Sequence, residues 1–440
     1  MDNRGAANTA LTKQLRLSTW PAGGVLRGRA APVTVSVSSP LSRNLDVPLS
    51  SDSGTLTAPA SVTIAAGQAS ASFTVTGVRQ GVSELVARAT DPAYEVSRTF
   101  VQVREDASQL VFETVSGANQ QGGRGAALAQ PVVLRLRDEN DVPFSGVTVN
   151  FTPSGDGAVT PSRASTGADG LVQVTWRLAS TGSSNTLRAS LDGAPSVAAV
   201  ISATGLERAA FSTTGVVNAA SFNLTGFAGI SPGSLVSIFG ASLADATQAA
   251  VGLPLSFSLA STSVTINGVP APLLYVSPGQ INLQAPFDLS GPAAQVVVST
   301  AAGPSNTITV PLGAVQPGIF FDATTGLGAI IHNSDGRFTT ERPARAGDFL
   351  QVYATGLGVV SPRVSAGFAA PLSPLSTTVA QPQVTIAARP APVVFSGLAP
   401  GFAGLYQLTI QVPDGVPGGR QSVGLSVNGL RSNEVLLNLQ

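Results

Sequence analysis

The sequence predicts an all-β protein built from tandem β-sandwich domains. Apolar and polar residues alternate with a period of two, as at Val33, Val35 and Val37, which places one face of a strand in a core. The 47 glycines and 31 prolines fall between the apolar runs, as expected of short strands joined by tight turns. A chain of 440 residues holds four units of about 100 residues each. We therefore expect four tandem immunoglobulin-like β-sandwich domains.

The C-terminal half contains the same series of motifs twice. Residues 233–243 (GSLVSIFGASL) return as 347–357 (GDFLQVYATGL), 114 residues later. Residues 264–272 (VTINGVPAP) return after 120 residues, and residues 280–286 (QINLQAP) return after 127. The spacing grows only between motifs, as happens when loops lengthen and strands keep their length. This region is predicted to be a tandem duplication of one β domain.

Breaks in the alternating pattern predict the boundaries of the units. The predicted parts are a loose N-terminal tail (1–13), two Ig-like domains (14–106 and 107–205), and the two copies of the duplicated domain (206–313 and 314–440). In the second unit Val147, Val149 and Phe151 alternate with polar residues, and Asp169-Gly170 marks a hairpin turn before Trp176.

Two stretches of the chain resemble known families. Residues 108–205, with GVTVNF at 146–151, TGADG at 166–170 and Trp176, resemble the invasin/intimin-type bacterial Ig-like repeats, and the first unit resembles bacterial Ig-like modules more loosely. Residues 216–440 resemble the uncharacterised Solibacter-type C-terminal domain family through motifs such as VVNAASF at 216–222 and YATGLG at 353–358. Each half of this region also resembles the IPT/TIG variety of the Ig-like fold. These resemblances imply an Ig-like fold and a secreted or cell-surface location, and they imply no activity.

Charge and composition exclude several classes of function. The formal net charge is zero, and no Lys or Arg lies between Arg208 and Arg337, so a nucleic-acid partner is excluded. The absence of cysteine excludes disulfides and thiolate metal sites. No apolar run is long enough for a transmembrane helix, and the first 24 residues show no signal-peptide pattern. Secretion is therefore expected from the resemblance alone.

The sequence shows no arrangement typical of a catalytic or metal site. The single histidine, His332, lies before a predicted turn that contains Asp335, and no nucleophile motif accompanies it. Asp138, Glu139 and Asp141 share one turn, but their spacing is not that of a calcium loop, so turn formation is the favoured interpretation. We predict a protein that is not an enzyme, with no catalytic, cofactor-binding or metal-ligating residues and no cofactor.

The two tryptophans are candidates for stacking against a sugar ring. Trp176 is in phase with Val172 and Val174, which predicts a place in the core. Trp20 lies at the edge of the first predicted strand, where packing is also favoured over sugar binding.

One loop differs in length between the two copies. The segment between Pro392 and Gln407 is 7 residues longer than the corresponding segment between Pro272 and Gln280, and the added residues are apolar and glycine-rich. The candidate interaction residues of this loop are Phe395, Leu398, Phe402, Leu405 and Tyr406. Two alternatives remain open: the loop packs against its own sandwich or a neighbouring domain, or it contacts a partner.

The sequence supports two hypotheses of function. The first is a non-catalytic, exported or cell-surface protein that acts in adhesion, or as a structural rod presenting a binding surface, with a cell-surface protein or a glycan as partner. The alternative is the accessory or stalk portion of a larger secreted enzyme, such as a carbohydrate-active one, whose catalytic module is absent from this chain. The neutral net charge also allows self-association.

Overall fold

The chain folds as four tandem Ig-like β-sandwiches, as predicted. The structure is a computed structural model that describes residues 13–19, 22–222 and 229–440. These residues form eight sheets, two for each sandwich, and the chain divides into two compact units, 1–206 and 207–440. The described part of the chain contains no helix, and hence none that is long and apolar enough to span a membrane.

The first domain consists of nine strands. They are β1 (Leu15–Leu17), β2 (Ala22–Leu26), β3 (Ala30–Val37), β4 (Leu45–Ser51), β5 (Leu56–Thr57), β6 (Ser61–Ile64), β7 (Ser70–Gly77), β8 (Gly81–Ala87) and β9 (Ser97–Arg104). The sheet orders are β1-β3-β7-β5 and β2-β9-β8-β4-β6. Val33 and Val35 are fully buried in β3, which confirms the predicted alternation.

The second domain repeats this topology strand for strand. Its strands are β10 (Val111–Ser116), β11 (Gln120–Gly123), β12 (Val132–Arg137), β13 (Thr148–Pro153), β14 (Ala158–Thr160), β15 (Arg163–Ser165), β16 (Leu171–Arg177), β17 (Ser184–Leu191) and β18 (Ala194–Leu206). The sheets are β10-β12-β16-β14 and β11-β18-β17-β13-β15. In both domains the second strand pairs parallel to the last one, β2 with β9 and β11 with β18, whereas the other named strand pairs are antiparallel.

The third domain contains the first copy of the duplicated motifs. Its strands are β19 (Ala210–Asn218), β20 (Leu235–Ala241), β21 (Gln248–Ala249), β22 (Ser263–Ile266), β23 (Val269–Ala271), β24 (Leu273–Val276), β25 (Gln280–Gln284), β26 (Ala293–Thr300), β27 (Gly303–Pro304) and β28 (Ile308–Pro311). One sheet has the order β19-β20-β25-β24-β21, and the other has the order β23-β22-β26-β27 with β28 added to β26.

The fourth domain contains the second copy. Its strands are β29 (Gly318–Ile319), β30 (Ile330–His332), β31 (Phe349–Thr355), β32 (Val360–Ser361), β33 (Thr377–Thr378), β34 (Gln383–Ile386), β35 (Arg389–Ala391), β36 (Val393–Leu398), β37 (Tyr406–Gln411), β38 (Gly419–Val427), β39 (Leu430–Arg431) and β40 (Val435–Leu439). The sheets are β29-β31-β37-β36-β33-β32, with β30 beside β31, and β35-β34-β38-β39, with β40 beside β38.

The two copies share their pairing register. Leu235 pairs with Gln284 in the third domain, and Phe349 pairs with Gln411 in the fourth, at the same offsets as the motifs. The repeated residues therefore occupy equivalent positions in the two sandwiches, as expected of a duplicated domain.

Each sandwich encloses its own apolar core. Leu85, Trp176, Ile266 and Tyr406 are buried in the cores of the first to the fourth domain, respectively. Burial of such side chains supplies the main favourable free energy of folding. The core position of Trp176 confirms the sequence-based prediction, and Trp20 lies outside the described residues.

Within the N-terminal unit, the first two domains are joined by backbone pairing and by a buried ion pair. The Gly24 N–H donates to the Pro143 carbonyl at 2.7 Å, and a Cβ at Gly24 would lie 2.4 Å from the Phe144 ring. The Arg104 guanidinium at the end of β9 contacts the buried Asp138 carboxylate at 2.7 Å. Only glycine allows this close approach of strand β2 to the second domain.

Candidate functional site

The two domains of the C-terminal unit are held together by buried polar groups. The Gln284 side-chain oxygen accepts a hydrogen bond from the Gly367 N–H at 2.7 Å, and its amide nitrogen lies 3.5 Å from the Gly233 carbonyl. In the second copy, the Gln411 amide donates to the Gly347 carbonyl at 3.3 Å, which is the equivalent bond. In both copies the amide nitrogen of this glutamine thus fixes the same turn. In the first copy the amide oxygen of Gln284 also binds the neighbouring domain.

Further contacts fix the same junction. The Asn218 amide donates to the Gln316 carbonyl at 2.8 Å, and the Leu235 N–H donates to the Thr355 hydroxyl at 2.8 Å. Strands β36 and β37 form a hairpin that is elongated in the second copy, and its turn contains Gly404. Gly404 packs so closely that an added Cβ would lie 2.8 Å from Leu235. Buried hydrogen bonds of this kind restrict movement between the domains, because breaking them would leave polar groups unsatisfied.

Three loops of this unit meet at the junction. The Leu255 N–H donates to the Gly367 carbonyl at 2.8 Å, which ties loop 250–258 of the third domain to loop 362–376 of the fourth. The Ala370 N–H donates to the Phe402 carbonyl, and the Gly401 N–H donates to the Ala370 carbonyl, each at 2.9 Å. The third loop, 399–405, is thereby joined to the second. The hydrogen bonds place all three loops side by side.

These loops carry a group of large apolar side chains in contact with solvent. Leu372 is 79% exposed, and Val251 is fully exposed. We name this group the apolar loop surface, and its members are Val251, Leu253, Phe257, Phe368, Leu372, Leu375 and Phe402. No charged residue occurs at 246–287, 364–388 or 390–413, so Arg363 is the single charged residue of the three loops. Exposed apolar side chains grouped on neighbouring loops are typical of interaction sites.

A groove of about 420 Å³ adjoins the apolar loop surface. Its apolar lining includes Phe257, Val269, Phe287, Val359, Val364 and Phe368. The lining also includes Arg363 and Asp288, whose guanidinium and carboxylate lie 3.6 Å apart, and both side chains are more than 80% exposed. The site is therefore a mainly apolar depression whose lining holds one charge of each sign. Such a lining suits burial of apolar groups and offers little to a highly charged ligand.

The structure places the five predicted interaction residues in different environments. Phe402 is 55% exposed, and Phe395 and Leu405 are partly buried. Leu398 and Tyr406 lie in the core of the fourth domain, where the Tyr406 hydroxyl donates to the Gly358 carbonyl. Burial raises the pKa of the Tyr406 hydroxyl well above its usual value. Of the five residues, Phe402 belongs to the apolar loop surface.

The other members of this surface were not selected from the sequence. They lie on two loops that are distant in the chain, and their proximity depends on docking of the third domain against the fourth. The long stretches without charge at 246–287 and 364–388 were a signal for them, because loop segments ordinarily carry charged residues.

The acidic turn at Asp138, Glu139 and Asp141 of the second domain forms ion pairs with arginines. The Asp138 carboxylate accepts bonds from Arg104 and from the Asn140 and Val142 N–H groups, and Glu139 also contacts Arg104 at 2.7 Å. Burial alone would raise the pKa of Asp138, but the Arg104 bond and the two backbone bonds outweigh it and hold the pKa below its usual value. Within the described ranges, no three histidine, aspartate or glutamate side chains are grouped as a metal site requires.

His332 is buried in the fourth domain. Its Nε2 lies 2.8 Å from the Arg342 carbonyl, and its Nδ1 lies 3.7 Å from the Asp348 carboxylate. Both ring nitrogens therefore face oxygen acceptors of the fold, and this arrangement suits a structural role for the imidazole.

A second hollow, of about 590 Å³, lies in the first domain and is polar. Its ionic groups are satisfied by each other or by an aromatic ring. Arg43 contacts Asp91 at 3.2 Å, and the Lys13 ammonium lies 5.3 Å from the centre of the Tyr94 ring. A ligand would have to displace these contacts, which makes the apolar loop surface the stronger candidate.

The chain matches no protein-family profile and no curated protein. Among solved structures, it is similar to invasin, a bacterial integrin-binding protein, at 14% identity and a TM-score of 0.25, covering 98% of this chain and 79% of that one. It is also similar to FdeC, an Escherichia coli adhesin, at 13% identity and a TM-score of 0.25, covering 98% of each chain. A C-terminal fragment of intimin, solved with the intimin-binding domain of its translocated receptor, matches at 14% identity and a TM-score of 0.28, covering 52% of this chain and 68% of the fragment.

These likenesses assign no ligand or activity to this chain. The identities and TM-scores are low, and fold alone does not determine function. Invasin and intimin, whose repeats residues 108–205 resemble, are among these structures. The resemblance of residues 216–440 to the Solibacter-type family stays a prediction.

Proposed function

We propose that this protein is a non-catalytic, exported or cell-surface Ig-like protein that acts in adhesion by binding a protein partner. The apolar loop surface is the proposed binding site. The observation that carries this proposal is the group of seven large apolar side chains that three hydrogen-bonded loops expose together. Exposing such side chains to water is unfavourable, and a partner that covers them recovers that free energy.

The chemistry of the surface favours a protein over a glycan as the partner. Protein interfaces are typically apolar at the centre and polar at the margin, with aromatic residues at the positions that contribute most to affinity. Phe257, Phe368 and Phe402 supply such aromatic groups, and Arg363 and Asp288 supply the polar margin. The loops also fix one another by hydrogen bonds, so binding costs little conformational entropy.

Replacing Phe257 and Phe368 together by serine is expected to weaken binding to cell surfaces roughly 30-fold or more. The measurement is the apparent Kd of the fluorescently labelled full chain for bacterial and host cells. Treating the cells with protease beforehand is expected to abolish binding, whereas treatment with glycosidases is expected to leave it unchanged.

The matched control is the replacement of Val82 and Phe100 by serine. These residues lie on β8 and β9 of the first domain and have comparable exposure, 56% and 54%. The control is expected to bind like the unaltered chain. Equal losses in the two variants, or binding that only glycosidases remove, would contradict the proposal, and the second result would favour a carbohydrate-directed role.

A further inference from the structure

We infer that the partner bound by the apolar loop surface is the same surface of a second copy of this chain. The inference rests on the proposed function, because it names the occupant of the binding site proposed there. It specifies a two-fold arrangement in which each copy contributes the same loops.

The scarcity of charge on the three loops, where Arg363 is the single charged residue, restricts the occupant. A partner carboxylate or ammonium group buried against residues 246–258 or 364–376 would lose its hydration and gain no counter-charge, since neither segment contains a charged residue. Away from Arg363 and Asp288, the occupant must therefore present an apolar surface of its own. The loops of a second copy meet this requirement.

The two charges beside the groove fit a two-fold arrangement. In a two-fold interface the same patch is present on both partners, so it must be complementary to itself. The Arg363 guanidinium lies 3.6 Å from the Asp288 carboxylate, and both side chains are almost fully exposed. A two-fold axis close to this pair places the arginine of each copy opposite the aspartate of the other. A patch with one positive and one negative side chain is the simplest charged patch that is complementary to itself across a two-fold axis.

The site is also ordered before any partner binds. Gly367 is bonded through its N–H to Gln284 and through its carbonyl to the Leu255 N–H. Ala370 is bonded on both sides to the 399–405 loop, at Gly401 and Phe402. A surface that holds its shape in the free chain can meet an identical copy without reordering its loops.

Sedimentation velocity of the full chain tests the inference. We expect a monomer–dimer equilibrium between about 1 and about 200 µM, a range that covers weak to moderate protein association. Replacing Phe368 and Leu372 together by serine is expected to weaken the dimer roughly 100-fold. Val82→Ser with Phe100→Ser is the matched control and is expected to leave the equilibrium unchanged.

Charge reversal tests the two-fold arrangement. Arg363→Glu gives two like-charge contacts across the axis, and so does Asp288→Arg, so each variant alone is expected to dimerise roughly tenfold more weakly. An equal mixture of the two variants is expected to restore association, because the introduced glutamate of one chain then faces the introduced arginine of the other. Recovery in the mixture is the result that supports the inference most directly.

Three results would overturn it. A chain that remains monomeric up to about 200 µM has no such interface in this affinity range. Dimerisation that the serine substitutions do not weaken takes place elsewhere on the molecule. Equal dimerisation by the single charge variants and by their mixture rejects the two-fold arrangement. If the chain is monomeric while the Phe257 and Phe368 substitutions still abolish cell binding, the second-copy inference fails and the proposed function stands.

Discussion

Replacing Gly356 by serine is expected to lower the free energy of unfolding of the C-terminal unit by about 4 kcal/mol or more. Gly356 has a φ of +77°, and a Cβ at this position would lie 1.8 Å from the Gln316 carbonyl oxygen. That carbonyl accepts the Asn218 amide at the junction of the two domains. The substitution therefore adds backbone strain and also displaces a buried hydrogen-bonded group.

The duplication supplies a control for this prediction. The equivalent residue of the first copy is Ser242, which has a φ of +53° and is partly exposed. The first copy thus accommodates serine at a positive φ. Ser242→Gly is expected to change the free energy of unfolding by no more than about 1 kcal/mol, because relief of strain and loss of chain restriction offset each other.

Urea unfolding of residues 207–440 within the full chain, followed by hydrogen exchange, measures both variants. The expected result is a large loss of protection at β29, β31 and β37 in Gly356→Ser and wild-type protection in Ser242→Gly. If the Gly356→Ser variant were as stable as the unaltered chain, the Gln316 carbonyl would not lie as close to Gly356 as the structure shows.

Ser242 and Gly356 show which features of the two copies the sequence could predict and which it could not. The repeated motifs predicted equivalent strands, and the pairing register of the two copies agrees with that prediction. They contained no information on why Gly356 replaces Ser242, since both residues have a positive φ. The reason is the Gln316 carbonyl, which lies against Gly356 within the fourth domain because the Gln316 N–H donates to the Gly356 carbonyl and β29 pairs with β31.

The candidate site depends instead on contacts between the third and fourth domains. Sequence alone identified the elongated hairpin and named Leu398, Phe402 and Tyr406 together. Strand pairing of Leu398 with Tyr406 turns both side chains into the core and leaves Phe402 at the tip. An apolar segment without clear alternation does not reveal which of its members point inward. Phe257 and Phe368 join the surface through contacts between the domains, which a single sequence does not show.

Replacing Asp138 by alanine is expected to destabilise the N-terminal unit by about 3 kcal/mol. The substitution removes the buried partner of Arg104, whose side chain is only 11% exposed, and frees the Asn140 and Val142 N–H groups that the carboxylate holds. Glu139→Ala is the matched control, because Glu139 contacts the same guanidinium at the same 2.7 Å but is 58% exposed. Its expected cost is within about 1 kcal/mol, as for other solvent-exposed ion pairs.

The pH dependence of stability separates the ion pair from simple packing. The folded-state pKa of Asp138 lies below its unfolded value of about 3.9, so its contribution is complete above that value and is lost as the pH falls through the folded-state pKa. Between about pH 5 and pH 2, the free energy of unfolding of Asp138→Ala is therefore expected to fall less steeply than that of the unaltered chain. Some slope remains, because Asp52, Asp91, Asp106 and Asp156 of the same unit also have lowered pKa values through their hydrogen bonds. Parallel pH profiles for the two proteins would mean that Asp138 acts in the fold through its shape alone, and that the buried charge does not join the first two domains.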